Sequence, residues 1–346
     1  MAEQTFADLF LGKIDMFSDV LGQAKAKQQF KSALLTKRHI VILGPPGVGK
    51  TTLAKNLARL LPEIKVNDCG FNCLPSHPAC PKCASKKSVV KTIMINGLER
   101  FVRLQGSPDL TVEDLIGDID PTKALQFGPT SIEAFTPGKI FRANNGILFF
   151  DELNRCNEKL QNALLQVLEE GKATIGSHTI DFPANFIFIG TMNPDETAAV
   201  EKISDVLMDR FDVITMTYPE TITVEQEIIS KKGKKLPVIF PPALLEAAVQ
   251  FIHYLRENKD ISRKPSVRAS IGLYERAQAN AVLNARKTVS LADIEEAVIS
   301  VIAHRIELKA SIKYLISREQ FIAKEFEKFC VEKKLNSAKP NGGDSL

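Results

Sequence analysis

Residues 44–51, Gly44-Pro45-Pro46-Gly47-Val48-Gly49-Lys50-Thr51, with Thr52 behind them, place glycines, a lysine and hydroxyls at a spacing suited to phosphate. Glycines let a backbone wrap an anion closely, so that N–H groups and the start of the next helix point at it. The pattern G-x-x-x-x-G-K-[ST] carries that meaning only between a strand and a helix. Here the apolar run HIVIL precedes it and TLAKNLARLL follows. In that setting Lys50 reaches the β- and γ-phosphates of a nucleotide, and Thr51 ligates Mg²⁺.

A second group is the apolar run Gly146–Phe150, which ends in Asp151 and Glu152. Two adjacent acids leaving a buried strand suit a division of labour: Asp151 on Mg²⁺, and Glu152 polarising an attacking water. The run Phe186–Ile189 ends in Gly190-Thr-Met-Asn193-Pro194. An amide at the tip of a neighbouring strand suits the same water, although Asn before Pro by itself marks a turn. A third group is Cys69-x3-Cys73-x6-Cys80-x2-Cys83. Four thiolates fit a closed tetrahedral Zn²⁺ site, and Pro75, Pro78 and Pro81 suit knuckle-like turns. An iron–sulfur cluster also takes four cysteines, and four unliganded thiols are the plain alternative. Zn²⁺ is the expectation, with His77 as a spare ligand. Cys156 and Cys330 are isolated and read as structural.

These groups need elements to position them. The runs His39–Leu43, Ile147–Phe150, Asn185–Gly190 and Val213–Thr217, with a fifth inside Val89–Ile95, show no clean alternation. Such runs suit parallel strands covered on both faces. Between them, Glu158–Glu170 carries an apolar helical stripe (Leu160, Ala163, Leu164, Val167, Leu168), with Asn157 as N-cap and Gly171 as stop. Alternating strands and helices predict an α/β fold with a five-stranded parallel sheet. Beyond residue 238 the strand signal ends, and Pro242–Lys259, Ser266–Asn284 and Ser290–Leu308 read as helices. The expected division is an α/β core at 1–237, a helical domain at 238–332 and a disordered polar tail at 333–346. The basic stretch Ser230–Pro237 reads as a solvated linker.

Composition narrows the classes. The 346 residues are 44% hydrophobic and 25% charged, ordinary for two globular domains. A net charge of +4, from 45 basic and 41 acidic residues, is too weak to imply nucleic acid by itself. No apolar run approaches the roughly 18 residues of a membrane span, and the N-terminus has no basic-then-apolar leader. The expectation is a cytoplasmic protein without a membrane partner, in which crowded cysteines favour metal over disulfides.

Taken together, the phosphate loop, the Asp-Glu pair and the strand-end Asn resemble Walker A, Walker B and sensor 1 of AAA+ ATPases. Their order with Val20–Gln23, Leu61–Ile64, Asp114–Gly117, Phe135–Gly138, Ala143–Gly146, Asp151–Arg155, Leu207–Phe211 and Ala303–Arg305 is similar to the helix-2-insert clade. That clade holds magnesium chelatase ATPase subunits and MoxR-type ATPases, and the resemblance covers about residues 17–308. It implies a P-loop NTPase core with a helical lid, hydrolysing ATP with Mg²⁺. It implies Gly22 and Gln23 near the adenine, an insertion at Asp118–Gly138 and a hairpin at Lys172–Phe182. Arg210 matches the arginine finger, which contacts the γ-phosphate in a neighbouring subunit, and Arg268 the lid arginine called sensor 2. A guanidinium suits both roles, being permanently charged and fork-shaped.

The implied assembly is a homo-oligomer, a hexameric ring, working with a partner that carries a von Willebrand A domain. In the family such motors insert metal into a tetrapyrrole or remodel metalloproteins. Arg155 matches MoxR-type proteins and would serve the subunit interface, whereas Leu61–Ile64 and Phe71-Asn72 look like the chelatase branch. The rival is a nucleic-acid motor or clamp-loader-like ATPase, since clamp loaders also carry a cysteine zinc module after the first core helix. The insertion pieces and the near-neutral charge stand against it.

Overall fold

The computed structural model describes residue 10 and residues 15–78, 80–84, 90–129, 131–175, 178–183, 185–194 and 203–335. The chain divides into two compact units, Met1–Pro45 with Gly49–Met216, and Pro46–Val48 with Thr217–Leu346.

The strands of the first unit, in chain order, are β1 (His39–Leu43), β2 (Ile64–Asn67), β3 (Thr92–Ile95), β4 (Phe101–Gln105), β5 (Gly117–Ile119) and β6 (Phe135–Pro137), followed by β7 (Gly146–Asp151), β8 (Lys172–Ile175), β9 (His178–Pro183), β10 (Phe186–Met192) and β11 (Phe211–Thr215). Five form one parallel sheet in the order β11-β1-β10-β7-β4. Ile40, Val41 and Ile42 of β1 and Ile147–Phe150 of β7 are fully buried, as continuous apolar runs require in a doubly covered sheet. Helix Glu158–Glu170 forms where expected. Asn157 accepts from the Leu160 amide at 2.9 Å, and Gly171 ends the helix at φ 63°.

One strand expectation is corrected. The fifth strand is Phe101–Gln105, whereas Thr92–Ile95 pairs antiparallel with β2 in a separate hairpin, and Val89 lies outside the described residues. An edge strand needs no continuous apolar run, and β4 exposes Arg103 and Gln105. The expected insertion is a second small ribbon, β5 against β6, enclosing helix Pro121–Phe127, which Asp120 caps. The expected hairpin at 172–182 is β8 with β9.

The second unit holds helices Ile222–Lys232, Pro242–Glu257, Val267–Leu283, Leu291–Ile302 and Arg318–Glu332, with a short ribbon of Ile261–Arg263 and Glu307–Leu308. Its core joins Phe251, Ile252, Leu255, Leu273, Ile294, Val298, Ile322 and Phe326. Helix Ile222–Lys232 is tied in by a buried ion network. Glu225 receives both Arg256 terminal nitrogens at 2.6 and 2.8 Å, lies 2.8 Å from His253 Nε2, and accepts from Ser270 Oγ. The units therefore divide at Met216/Thr217 rather than at 237/238. Of the expected tail, residues 336–346 lie outside the described residues.

Candidate active site

In a parallel sheet all strands end on the same edge, and that edge is where ligands sit in open α/β folds. The central strands β1, β10 and β7 are successive neighbours here. β1 runs into the glycine loop, β10 into Asn193 and β7 into Asp151 and Glu152.

The loop turns through left-handed glycines, Gly47 at φ 78° and Gly49 at φ 103°, and helix Lys50–Leu60 starts at once. Gly44 is obligatory for a different reason, since a Cβ there would lie 2.3 Å from the Met216 carbonyl oxygen. Lys50 Nζ donates to the carbonyls of Gly44 and Pro45 at 2.5 and 3.0 Å, and Thr51 and Thr52 occupy the first turn. A Cβ on Gly49 would sit 3.5 Å from Val20 Cγ1, so the Val20–Gln23 segment runs beside the loop. Gly22 and Gln23 are both left-handed there, and Gln23 is the N-cap residue of helix Ala24–Leu35.

Asp151 closes β7. Its Oδ1 accepts from the buried Thr191 hydroxyl at 2.7 Å, and its Oδ2 pairs with Arg103 at 2.5 Å. The same Thr191 oxygen accepts from the Glu152 amide at 3.0 Å. Glu152 sits at φ 56°, ψ 53°, a conformation that costs a non-glycine residue about 1–3 kcal/mol and persists only where neighbours enforce it. Gly106 is one such neighbour. It donates to the Asp151 carbonyl at 2.6 Å, and a Cβ on it would lie 2.0 Å from the Glu152 carbonyl oxygen. The Glu152 carboxylate accepts from the Gln105 amide at 2.8 Å and pairs with Arg155 at 3.3 Å.

Arg103, Gln105 and Thr191 contact the two acids, and the sequence reading missed all three. The signal lies in strand register, which pairs Gln105 with Asp151 and turns Arg103 and Gln105 to one face.

Asn193 follows Met192, whose carbonyl accepts from the Gly44 amide at 3.2 Å, so the amide residue directly adjoins the loop. The structure thus gathers Gly44–Thr52, Asp151, Glu152, Asn193 and the Val20–Gln23 segment. Arg210 makes its ion pairs elsewhere, with Glu169 at 3.1 Å and Asp209 at 3.4 Å. Arg268, in the second unit, lies in the first turn of Val267–Leu283, where Ser266 Oγ accepts from its amide at 3.3 Å. Burial and the charge of Arg268 together lower the pKa of Arg305.

The four cysteines converge. Their Sγ atoms all lie within 4.8 Å of one another, with Cys73, Cys80 and Cys83 buried. Hydrogen bonding with Cys73 and Cys80 holds the Cys69 thiol low, and contacts with Cys69 and Cys73 push Cys80 up. Cys156, alone in the core, is pushed up to about 12 by burial. The side chain of His178 lies outside the described residues.

Three known families match successive parts of the chain. Residues 16–71 match the family described as magnesium chelatase, subunit ChlI; residues 72–213 match the ATPase family associated with various cellular activities (AAA); residues 254–323 match the AAA lid domain. A magnesium-chelatase subunit ChlI homolog of Methanocaldococcus jannaschii is 29% identical over 85% of this chain and 86% of its own length. The uncharacterized protein YeaC of Bacillus subtilis is 26% identical over 85% of each chain. The magnesium-chelatase subunit ChlI of Synechocystis is 32% identical over 59% of this chain and 58% of its own. Among the described residues no helix is long and apolar enough to cross a membrane.

Proposed function

From a chain that belongs to the AAA+ ATPases and is related to the ChlI subunits of magnesium chelatase, we propose a ring-forming motor that hydrolyses ATP to remodel a partner protein. The observation that carries the hydrolytic part is the juxtaposition of the glycine loop, Asp151-Glu152 and Asn193 on the tips of three adjacent parallel strands. Loop amides and the helix start at Lys50 cradle the phosphates, and Lys50 exchanges its carbonyl partners for phosphate oxygens. Thr51 and Asp151 offer a hydroxyl and a carboxylate, the all-oxygen donors Mg²⁺ prefers, so the residues fit that ion. Bound Mg²⁺ supplies charge neutralisation at the β- and γ-phosphates. Glu152 takes the proton of the attacking water, and Asn193 orients that water. Arg210 serves the γ-phosphate of a neighbouring chain, and Arg268 takes the part of the lid arginine called sensor 2. Gly22 and Gln23 flank the adenine.

Support for the partner-directed part comes from relatives such as the Synechocystis protein, which is named as a subunit of magnesium chelatase. A hexamer acting with a von Willebrand A domain protein, for metal insertion or metalloprotein activation, is the assembly this reading carries.

The test is steady-state turnover with direct nucleotide binding. Glu152→Gln should retain ATP and lose turnover, because an amide keeps the shape but cannot accept the proton. Lys50→Ala should weaken binding itself. Wild-type turnover by Glu152→Gln would remove this residue from the mechanism. Turnover stimulated by DNA or RNA, weakening steeply with salt, would favour a nucleic-acid motor instead.

A further inference from the structure

The hydrolytic site leaves the four cysteines unused. They sit in the loop between β2 and β3, a polar stretch in which residues 68–84 offer only Phe71 and Leu74 as large apolar side chains. Such a segment has little apolar surface to bury beyond Phe71 and the cysteines themselves, and an ion is the means by which small modules of this composition order the rest. The sulfur positions agree. A tetrahedron around one ion with metal–sulfur bonds of about 2.3 Å has sulfur–sulfur edges of about 3.8 Å. Sulfurs within 4.8 Å of one another are a slight contraction away from that figure. A multi-iron cluster instead distributes its cysteines over separate irons and keeps them further apart. Two backbone amides already serve the sulfurs: Cys80 N donates to Cys73 Sγ at 3.3 Å, and Cys83 N to Cys80 Sγ at 3.4 Å. Outer hydrogen bonds of this kind orient metal ligands and stabilise thiolates.

We propose that Cys69, Cys73, Cys80 and Cys83 bind a single Zn²⁺ ion, and that the ion staples the β2–β3 loop to the segment 135–145 leading into β7. Four sulfurs in tetrahedral array select zinc or iron, and zinc binds the tighter of the two divalent ions. With four protein ligands no coordination position stays open, so the ion is structural.

The staple follows from what the cysteines bracket. Phe71, between the first two, packs on Phe135 and Phe141 with centroids 6.4 and 5.3 Å apart. Asn144 Nδ2 donates to the Phe71 carbonyl at 3.1 Å, Asn145 Nδ2 to the Asn72 carbonyl at 3.0 Å, and Asn72 Nδ2 to the Arg142 carbonyl at 2.7 Å. Gly146 opens β7 immediately afterwards, and β7 ends at Asp151. Zinc thus holds a knuckle whose other face secures the approach to the strand that bears the acids.

The experiment takes the full chain purified without oxygen. Elemental analysis should find one zinc per chain, and replacement by Co²⁺ should give the intense visible bands of a tetrahedral thiolate site. Amide hydrogen exchange before and after chelation should show faster exchange in residues 67–74 and 135–145, with 40–60 unchanged. Cys80→Ser should lose the zinc and reproduce the exchange pattern; should that variant not fold, chelation of the wild type decides alone. Iron, with or without sulfide, would overturn the zinc assignment, as would a metal-free chain with four freely titrating thiols. Exchange that changes only within residues 69–83 would overturn the staple.

Discussion

The Glu152 carboxylate is gripped by two groups, the Gln105 amide at 2.8 Å and Arg155 at 3.3 Å, while its backbone is held left-handed. For the base proposed above, such a grip would fix the angle at which it meets the water. Gln105→Ala should therefore lower kcat by about tenfold, the worth of one hydrogen bond to a charged group, and leave nucleotide affinity unchanged. Gln105→Glu should be worse, because a second carboxylate repels the first. Paired turnover and binding measurements check this, and an unaltered kcat in Gln105→Ala would reduce Gln105 to a surface residue. The strand-tip placement of Lys50, Asp151 and Glu152 was legible in the sequence, because residue types and spacing lie along one stretch of chain beside an apolar run. Gln105 was not, since its contact with Glu152 depends on a strand partner 47 residues away.

At the scale of elements, two buried titratable groups fasten helices and strands. His39 Nδ1 accepts from the Phe188 amide at 3.1 Å, tying β1 to β10. Burial, with Arg38 adding, pushes His39 down to about 4. The unfolded chain, with the ordinary value of about 6.5, then takes up the proton first. This group's share of stability is complete above about pH 6.5 and is lost as pH falls towards 4, reaching about 2 kcal/mol at pH 5. His39→Asn, which keeps an acceptor without titrating, should flatten that slope between pH 7 and 5 in urea unfolding; an equal slope in both proteins would discount His39.

For Glu225, burial acts upward, but His253, Arg256 and Ser270 outweigh it and hold the carboxyl at about 2. Its contribution is present above about 4.5 and is lost as pH falls towards 2. Glu225→Ala strands Arg256 in the core and should cost about 3–5 kcal/mol, seen as a lower thermal midpoint of the second unit. A loss under 1 kcal/mol would mean that the network is dispensable. The sequence showed four of the five sheet strands because burial on both faces leaves an unbroken apolar run. It hid β4, whose edge position tolerates Arg103 and Gln105, and it made TIMI look like a sheet strand although Met94 is half exposed. Helix Arg318–Glu332 was not picked out, although it has the Ser317–Gln320 capping box and the spacing of Phe321, Ile322, Phe326 and Phe329.

For the whole molecule, the proposal turns on Arg210, whose ion pairs are with Glu169 and Asp209 and not with Asp151 or Glu152. Arg210→Ala should bind ATP normally and turn over about 10³-fold more slowly, as loss of an arginine finger does. Mixed with Lys50→Ala, it should regain part of the activity, because one chain then supplies the guanidinium and the other an intact pocket. Mixed rings without rescue would place Arg210 outside the shared site. The pair it makes with Glu169 bears on this directly. Between groups a third and a half exposed, such a contact is worth at most about 1 kcal/mol, so a neighbouring chain can take the guanidinium over easily. If Arg210 is the finger proposed above, a solitary chain carries it sheathed by its own glutamate. Activity per chain should then be a function of crowding: turnover measured across a dilution series should rise with protein concentration, and earlier in Glu169→Ala, though no atom of the nucleotide pocket has changed.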